Sequence, residues 1–204
     1  MNISKIKTYV YTVSKNKYRQ ELITTMLDKL QFSNWSFIYG KETNPYWVGI
    51  HDDFIEMLKT PAPFILLEDD AAEKTYEADI EYPNDAQIIY LGGSSNGEKN
   101  IEHYDKSKLT FSKGSRTTPY AMLYGEIDNN YIRPYNMHSH HAVLFLDNKL
   151  NEDIIKIIKN NNKAYATDVI LAEEMYRRKV YCRKQPMFYQ TDGRQNEQTL
   201  NYFP

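Results

Sequence analysis

The sequence predicts an α/β fold, a mostly parallel sheet with helices on both faces. Three observations point there. Short β-branched and aromatic runs alternate with stretches of helical period along most of the chain, the pattern of strands joined by covering helices. A length of 204 residues suffices for one core of that kind and is short for two. The composition, 41% hydrophobic and 25% charged, is that of an ordinary folded chain, so disorder is not the default. We therefore expect a single domain over 1–204, with 184–204, where periodicity fades, as a tail that wraps the surface or orders on binding.

The elements follow in order. Residues 6–13, IKTYVYTV, alternate and are rich in β-formers, predicting a strand; 17–30 place Leu22, Ile23, Met26, Leu27 and Leu30 at helical spacing. WSFIY (35–39) is a short strand. Residues 47–59 repeat the helical period through Ile50, Phe54, Met57 and Leu58, until Pro61 and Pro63 stop the helix before the apolar run FILL. After a short helical stretch, AQIIYLGG (86–93) is a buried strand ending in two glycines. The segment 94–133 is polar and weakly patterned, with short strands at KLTF and YAMLYG, as in a substrate loop. HHAVLFLD (140–147) is a strand, and helices are expected over 151–161 and 166–179. In a parallel sheet ligands sit at the carboxyl ends of the strands, which puts YTVSKN, YGKE, EDDA and LGGSSNG on one rim.

Charge and cysteine usage narrow the classes. A formal charge of −2 argues against a surface devoted to nucleic acid or an anionic membrane, while leaving room for a local patch. The 18 tyrosines supply amphipathic rings able to stack on sugars or bases. Cys182 is alone, which excludes an internal disulfide and favours a reducing compartment. With neither a signal-like start nor an apolar run of membrane-spanning length, a soluble, cytoplasmic protein without a membrane span is expected.

The densest chemical signal is FILLEDDAAE, where an apolar run ends in Glu68, Asp69 and Asp70. One reading is local: Asp70, three residues before Glu73, fits a helix-capping pattern, and acids favour a helix N-terminus. A cap uses one acid and leaves Glu68 and Asp69 unexplained. Bunched carboxylates at a sheet rim suit a hard divalent cation, Mg²⁺ or Mn²⁺, bridging them to a phosphate-bearing substrate. Phosphoester hydrolysis, nucleotidyl transfer and glycosyl transfer remain open on these residues alone; no P-loop, GxGxxG, HExxH or GxSxG motif is present.

GIHDDFIEMLKTPAPFILLEDDA resembles the helix and Leu-Glu-Asp-Asp-Ala strand of glycosyltransferase family 25, the lipopolysaccharide and collagen glycosyltransferase group. YVYTVSKNKYRQELITTML, AQIIYLGG and SHHAVLFLDNKL resemble further family blocks in the same order, so the likeness spans about 170 residues. It implies a GT-A fold, Rossmann-like, that binds a nucleotide sugar, expected to be UDP-linked, and a divalent metal (Mn²⁺ or Mg²⁺). By resemblance, Asp70 and Glu68 with His141 are the metal ligands. Thr12, Ser14, Arg19, Glu68 and Asp69 contact the donor, and Asp168 is the base of an inverting transfer. The chain departs from the family at Ile50, where Ser precedes the helix His, and at His140, where Thr is usual. Which of His138, His140 and His141 faces the site is left open, since adjacent residues of a regular strand point to opposite faces.

Transfer from a nucleotide sugar passes through an oxocarbenium-like state, and its charged leaving group needs a cation. Inversion also needs a base for the acceptor hydroxyl. Asp168 has an alternative role at the start of its helix, next to a capping Thr167. Lys15/Lys17/Arg19, Lys106/Lys108/Lys113/Arg116 and Arg177/Arg178/Lys179/Arg183/Lys184 read as solvated surface; two of them flanking the site would suit an anionic acceptor. The expected acceptor is a glycan or a hydroxymethylated base in phage DNA. FYQTDGRQNEQTL, with Gln190, Asp192 and Arg194, resembles the family's late Gln-bearing segment, expected to close over donor or acceptor. A metal-dependent phosphoesterase or nuclease, or a non-catalytic glycan- or nucleic-acid-binding module, is the alternative.

Overall fold

The structure, a computed structural model, describes residues 1–45, 47–97, 105–112, 120–161 and 165–191. Its first units follow the hydrophobic pattern: β1 Lys7–Val13, α1 Lys17–Lys29, β2 Trp35–Gly40, α2 Trp47–Leu58 and β3 Phe64–Glu68. In β1 the alternation is literal, with Thr8, Val10 and Thr12 buried under one face and Tyr9 and Tyr11 half-buried on the other. Gly49 lets the start of α2 approach the end of β2, since a Cβ there would collide with the Lys41 carbonyl; the Gly49 amide donates to Thr43 Oγ1 at 2.8 Å.

After β3 the chain departs from expectation. Asp69 and Asp70 form a turn, and Ala71–Glu73 is a strand, β4, where a short helix was predicted. Its partner is β11, Phe188–Gln190, antiparallel with Gln190 opposite Ala71. Backbone pairing with a segment more than 110 residues away thus replaces the local capping pattern, and Asp70 caps no helix. The same pairing corrects the expectation of a tail from Lys184. Met187 and Phe188 are fully buried, and Thr191 binds the Asp70 carbonyl through its amide (2.8 Å) and its hydroxyl (3.0 Å). Residues 192–204, with Asp192 and Arg194, lie outside the described residues, as do Lys113 and Arg116.

The remaining strands are β5 Ile88–Gly92, β6 Thr110–Phe111, β7 Leu123–Glu126, β8 Tyr131–Tyr135, β9 Ala142–Phe145 and β10 Val180–Arg183. Nine strands form one sheet in the order β2-β1-β3-β9-β5-β10-β8-β7-β6. β1 pairs parallel with β2 and β3, and β5 with β10; the other pairings are antiparallel. The sheet is therefore mixed, not largely parallel. β9 runs against both its neighbours β3 and β5, and β8, β7 and β6 add three antiparallel pairings beyond β10. Even so β1, β2, β3 and β5 share a direction, so their carboxyl ends do form one rim.

α2, α3 (Asn148–Asn160) and α4 (Thr167–Glu174) cover one face, packing Phe54, Met57, Leu150, Ile154, Ile158 and Ile170 on Phe64, Leu66, Tyr90, Val143 and Phe145. α4 is shorter than the predicted 166–179 and ends in a 3₁₀ turn, Met175–Arg177. On the other face Ile23 and Leu27 of α1 pack with Val10, Ile65, Leu67, Leu91 and Phe188. Leu22, predicted on the same stripe, is exposed. Among the described residues no helix is long and apolar enough to cross a membrane.

Asp147 ties the lower end of the sheet to α3. Its carboxylate caps the helix by accepting from the Lys149 (2.8 Å) and Leu150 (3.1 Å) amides, and it accepts from Gln87 Nε2 at 2.7 Å. The Gln87 bond, followed by the two amides, holds its pKa below the usual carboxylate value. Asp147→Ala is expected to lower stability in urea unfolding at pH 7 by about 1–2 kcal/mol. A lowered folded pKa contributes stability above the unfolded value of about 3.9 and loses it as pH falls through the folded value, so the two proteins should converge in strong acid.

Candidate functional site

The rim carboxylates are sorted by strand geometry. Glu68, the last residue of β3, continues the face of Leu66 and points toward α4; Asp69, one residue on, points to the opposite face beside α1. The main chain is held on both sides here, with the Glu68 amide donating to the His141 carbonyl (3.1 Å) and the Asp69 amide to the Tyr11 carbonyl (3.0 Å).

Asp69 is 7% exposed and is satisfied by the β1–α1 connection. It accepts from Thr12 Oγ1 (2.5 Å), Asn16 Nδ2 (3.2 Å) and Arg19 (3.2 Å). Thr12 is itself buried, so in this structure it anchors a carboxylate. Ser14 is exposed in the turn and is not among the residues lining the cavities described below. Asn16 went unread in the sequence because an Asn before a helix passes for a cap; its side chain caps nothing and reaches Asp69 instead.

Asp70 lies 3.6 Å from the same Arg19 guanidinium. Gln190 Nε2 donates to Asp70 and to Glu68, at 3.3 Å each, so one amide from β11 spans both carboxylates. The other oxygen of Asp70, Oδ1, is buried without a hydrogen-bond partner. Burial raises the Asp70 pKa to about 6 against the opposing pull of Arg19 and the Gln190 bond. Glu68 is raised well above its ordinary value by burial first, then by repulsion from Asp70, Asp168 and Asp69. Among the described residues Arg19 is the cation paired with these acids, shared between Asp69 and Asp70.

Two cavities meet at Glu68. The first, about 320 Å³, lies over the ends of β1 and β2 and is lined by Lys15, Asn16, Arg19, Lys41, Asp69 and Asp70. The second, about 410 Å³, lies over β3 and β9 and is lined by Glu68, His138, His140, Asp168, Gln190 and the apolar Phe54. Tyr11, Ile50 and Glu68 belong to both. A third, about 620 Å³, runs along α1 past Tyr18, Leu22 and Met26 to Asp70 and Tyr189.

Because β9 is antiparallel, the segment leading into it begins at the acidic rim, which brings the histidines there. His140 lines the second cavity, 7% exposed, with its ring 5.0 Å from Phe54 and its Nδ1 3.2 Å from Thr167 Oγ1. His141 points the other way. It lies beside Gly92 and the Phe188 carbonyl, with Nδ1 3.0 Å from Ser139 Oγ, so the structure does not bring it together with Glu68 and Asp70. Burial lowers both imidazoles to about 4 and leaves them neutral at pH 7. His51 is a structural histidine: fully buried, with Nε2 2.6 Å from the Tyr165 carbonyl, it fixes the approach to α4.

Asp168 sits in the first turn of α4, half-buried, and lines the second cavity with Glu68. The cap is Ala166, not Thr167, whose hydroxyl goes to His140. The basic cluster at 177–183 is paired with acids: Arg178 with Glu174 and Asp153, Lys179 with Asp85, Arg183 with Glu77. Among the described residues no group of three or more His, Cys, Asp or Glu is arranged to hold a metal ion. No protein-family model matches the chain, and no curated protein matches it.

The raised pKa of Asp70 sets a pH dependence. Between about 4, where an unfolded Asp ionises, and about 6, the folded chain holds a proton that the unfolded chain has lost, so stability falls as pH rises through that window. Asp70→Asn should flatten this fall and raise the melting temperature at pH 7 in chelator-treated buffer. An unchanged pH profile would show that Asp70 is not under strain.

Proposed function

We propose that the chain is a metal-dependent glycosyltransferase that moves a sugar from a nucleotide sugar, UDP-linked, to a hydroxyl acceptor. The observation that carries this reading is the pair Glu68 and Asp70, bridged by one Gln190 amide under Arg19. The pair stands at the carboxyl end of β3 beside β1. From β1 the chain crosses to β2 by way of α1 on one face and returns to β3 by way of α2 on the other, so the connections diverge and open a crevice there. A GT-A fold is the finer form of this mixed α/β architecture that the proposal adopts.

The residues fit a divalent cation. Asp70 Oδ1 is buried without a partner, and two neighbouring carboxylates whose pKa values burial raises favour a cation between them. Mg²⁺ and Mn²⁺ bind through one or two carboxylates and complete their shells with water and substrate phosphate. When bound, the metal would supply charge neutralisation for the leaving diphosphate. Arg19, with Lys15 and Lys41 along the same cavity, orients the phosphates and stabilises the charge that develops as the C–O bond to phosphate breaks. Asp168 accepts the proton of the acceptor hydroxyl as its oxygen bonds to the anomeric carbon. Thr12, Asn16 and Asp69 hold the β1–α1 turn that carries Arg19.

Isothermal titration of UDP into the full chain tests the donor half. Binding should appear with Mn²⁺ and weaken at least tenfold in chelator; no nucleotide binding with metal would overturn the reading. Asp70→Ala should lose donor turnover, read as hydrolysis of the nucleotide sugar, by about 10²-fold or more while melting as a folded protein.

A further inference from the structure

The two cavities that meet at Glu68 differ in chemistry. The first carries Lys15, Arg19 and Lys41. Among the described residues that line the second there is neither lysine nor arginine; its charged groups are the acids Glu68 and Asp168. A phosphorylated ligand there would lie against carboxylates, and like charges in a partly buried setting repel strongly. The second cavity nevertheless holds a buried hydrogen-bonding atom without a partner. His140 is more than nine-tenths buried, and its Nε2 makes no hydrogen bond. Ser94, Asn96 and Gln190 add polar groups around the wall, while Phe54 and Met57 are apolar. Hydroxyl donors and acceptors over an apolar surface match a ring whose edge is polar and whose C–H face is not. The volume of about 410 Å³ falls within the range of small-molecule sites, about 300 to 1,000 Å³.

We infer that this second cavity is a subsite for an uncharged, polyhydroxylated ring, a neutral sugar, with His140 Nε2 and the Asp168 carboxylate hydrogen-bonding its hydroxyls. The inference rests on the glycosyltransferase reading and deepens it by naming the substrate class at that end of the site. The ring belongs either to the donor's own sugar or to the acceptor; the two share this chemistry, and Tyr11, Ile50 and Glu68, common to both cavities, mark where the phosphate end and the sugar end join.

Saturation-transfer NMR on the full chain provides the test, with methyl glucosides, galactosides and mannosides as probes and the matching hexose 6-phosphates as controls. At least one methyl hexoside should give a signal, and its 6-phosphate should bind at least tenfold more weakly. His140→Gln and Asp168→Asn should each weaken the hexoside signal at least fivefold, and His140→Gln should leave UDP binding unchanged. The Asp168 variant alters a half-buried helix-start position and is the safer of the two for folding. Displacement by a saturating UDP-hexose would assign the ring to the donor, and retention to the acceptor; either supports the subsite. No hexoside signal, a 6-phosphate that binds as well, or hexoside binding indifferent to both substitutions would overturn it. UDP binding without hexoside binding would remove the subsite alone, whereas hexoside binding without UDP binding would remove the nucleotide-sugar reading and keep the subsite.

Discussion

The direction of β9 is the constraint on which the site depends. Running antiparallel between β3 and β5, it starts where they end, so His138 and His140 arrive at the rim that already holds Glu68. It finishes at the opposite end of the sheet, where Asp147 caps α3. α3 then climbs back to the rim, and α4 begins there with Thr167 and Asp168. A parallel strand in the same place would have put the histidines at the far edge of the sheet. The reversal of one short strand, four residues long, therefore delivers two of the chain segments that line the cavity beside Glu68, the histidines before β9 and the start of α4.

The carboxylate triple works by division. Period-two alternation sends Glu68 and Asp69 to opposite faces, and the turn leaves Asp70 between them under Arg19. Asp69 is fully engaged by Thr12, Asn16 and Arg19, which makes it a structural member that holds the end of β1 to the start of α1. Glu68 and Asp70 are left with one shared amide donor and a raised proton affinity. A folded protein gains no stability from that arrangement. Such tension at a cleft marks a candidate functional site, and the proposed metal site takes it up.

Much of this was legible in the sequence where the signal was local. Strands such as FILL and IIYLG and the helices at 17–30 and 47–59 follow from hydrophobic period and proline stops, and the common rim of β1, β2, β3 and β5 follows from their alternation. What could not be read was pairing at a distance. β4, β8, β10 and β11 are short and carry no clear period; they become strands because a partner far along the chain presents an edge. That is why Asp70 followed by Glu73 looked like a helix start and is not one. The antiparallel sense of β9 was hidden for the same reason, and with it the choice of His140 over His141 as the one facing the acids.

The β4–β11 ribbon has a further consequence for how the site holds together. Gln190 reaches Glu68 and Asp70 only because Phe188 is buried in the core and Thr191 is bonded to the Asp70 backbone. A contact spanning some 120 residues closes late in folding, since the loop entropy must be overcome before the pairing repays it. The ribbon has three pairs and lies outside the nine-stranded sheet, so its hold rests on the buried Met187 and Phe188 more than on its own ladder. Opening it would strip the Gln190 amide from two neighbouring buried carboxylates and raise their need for a cation. The proposed cation at Glu68 and Asp70 and the docking of β11 act on the same electrostatic deficit, so each lessens what the other contributes, and by reciprocity a bound cation would ease the release of β11.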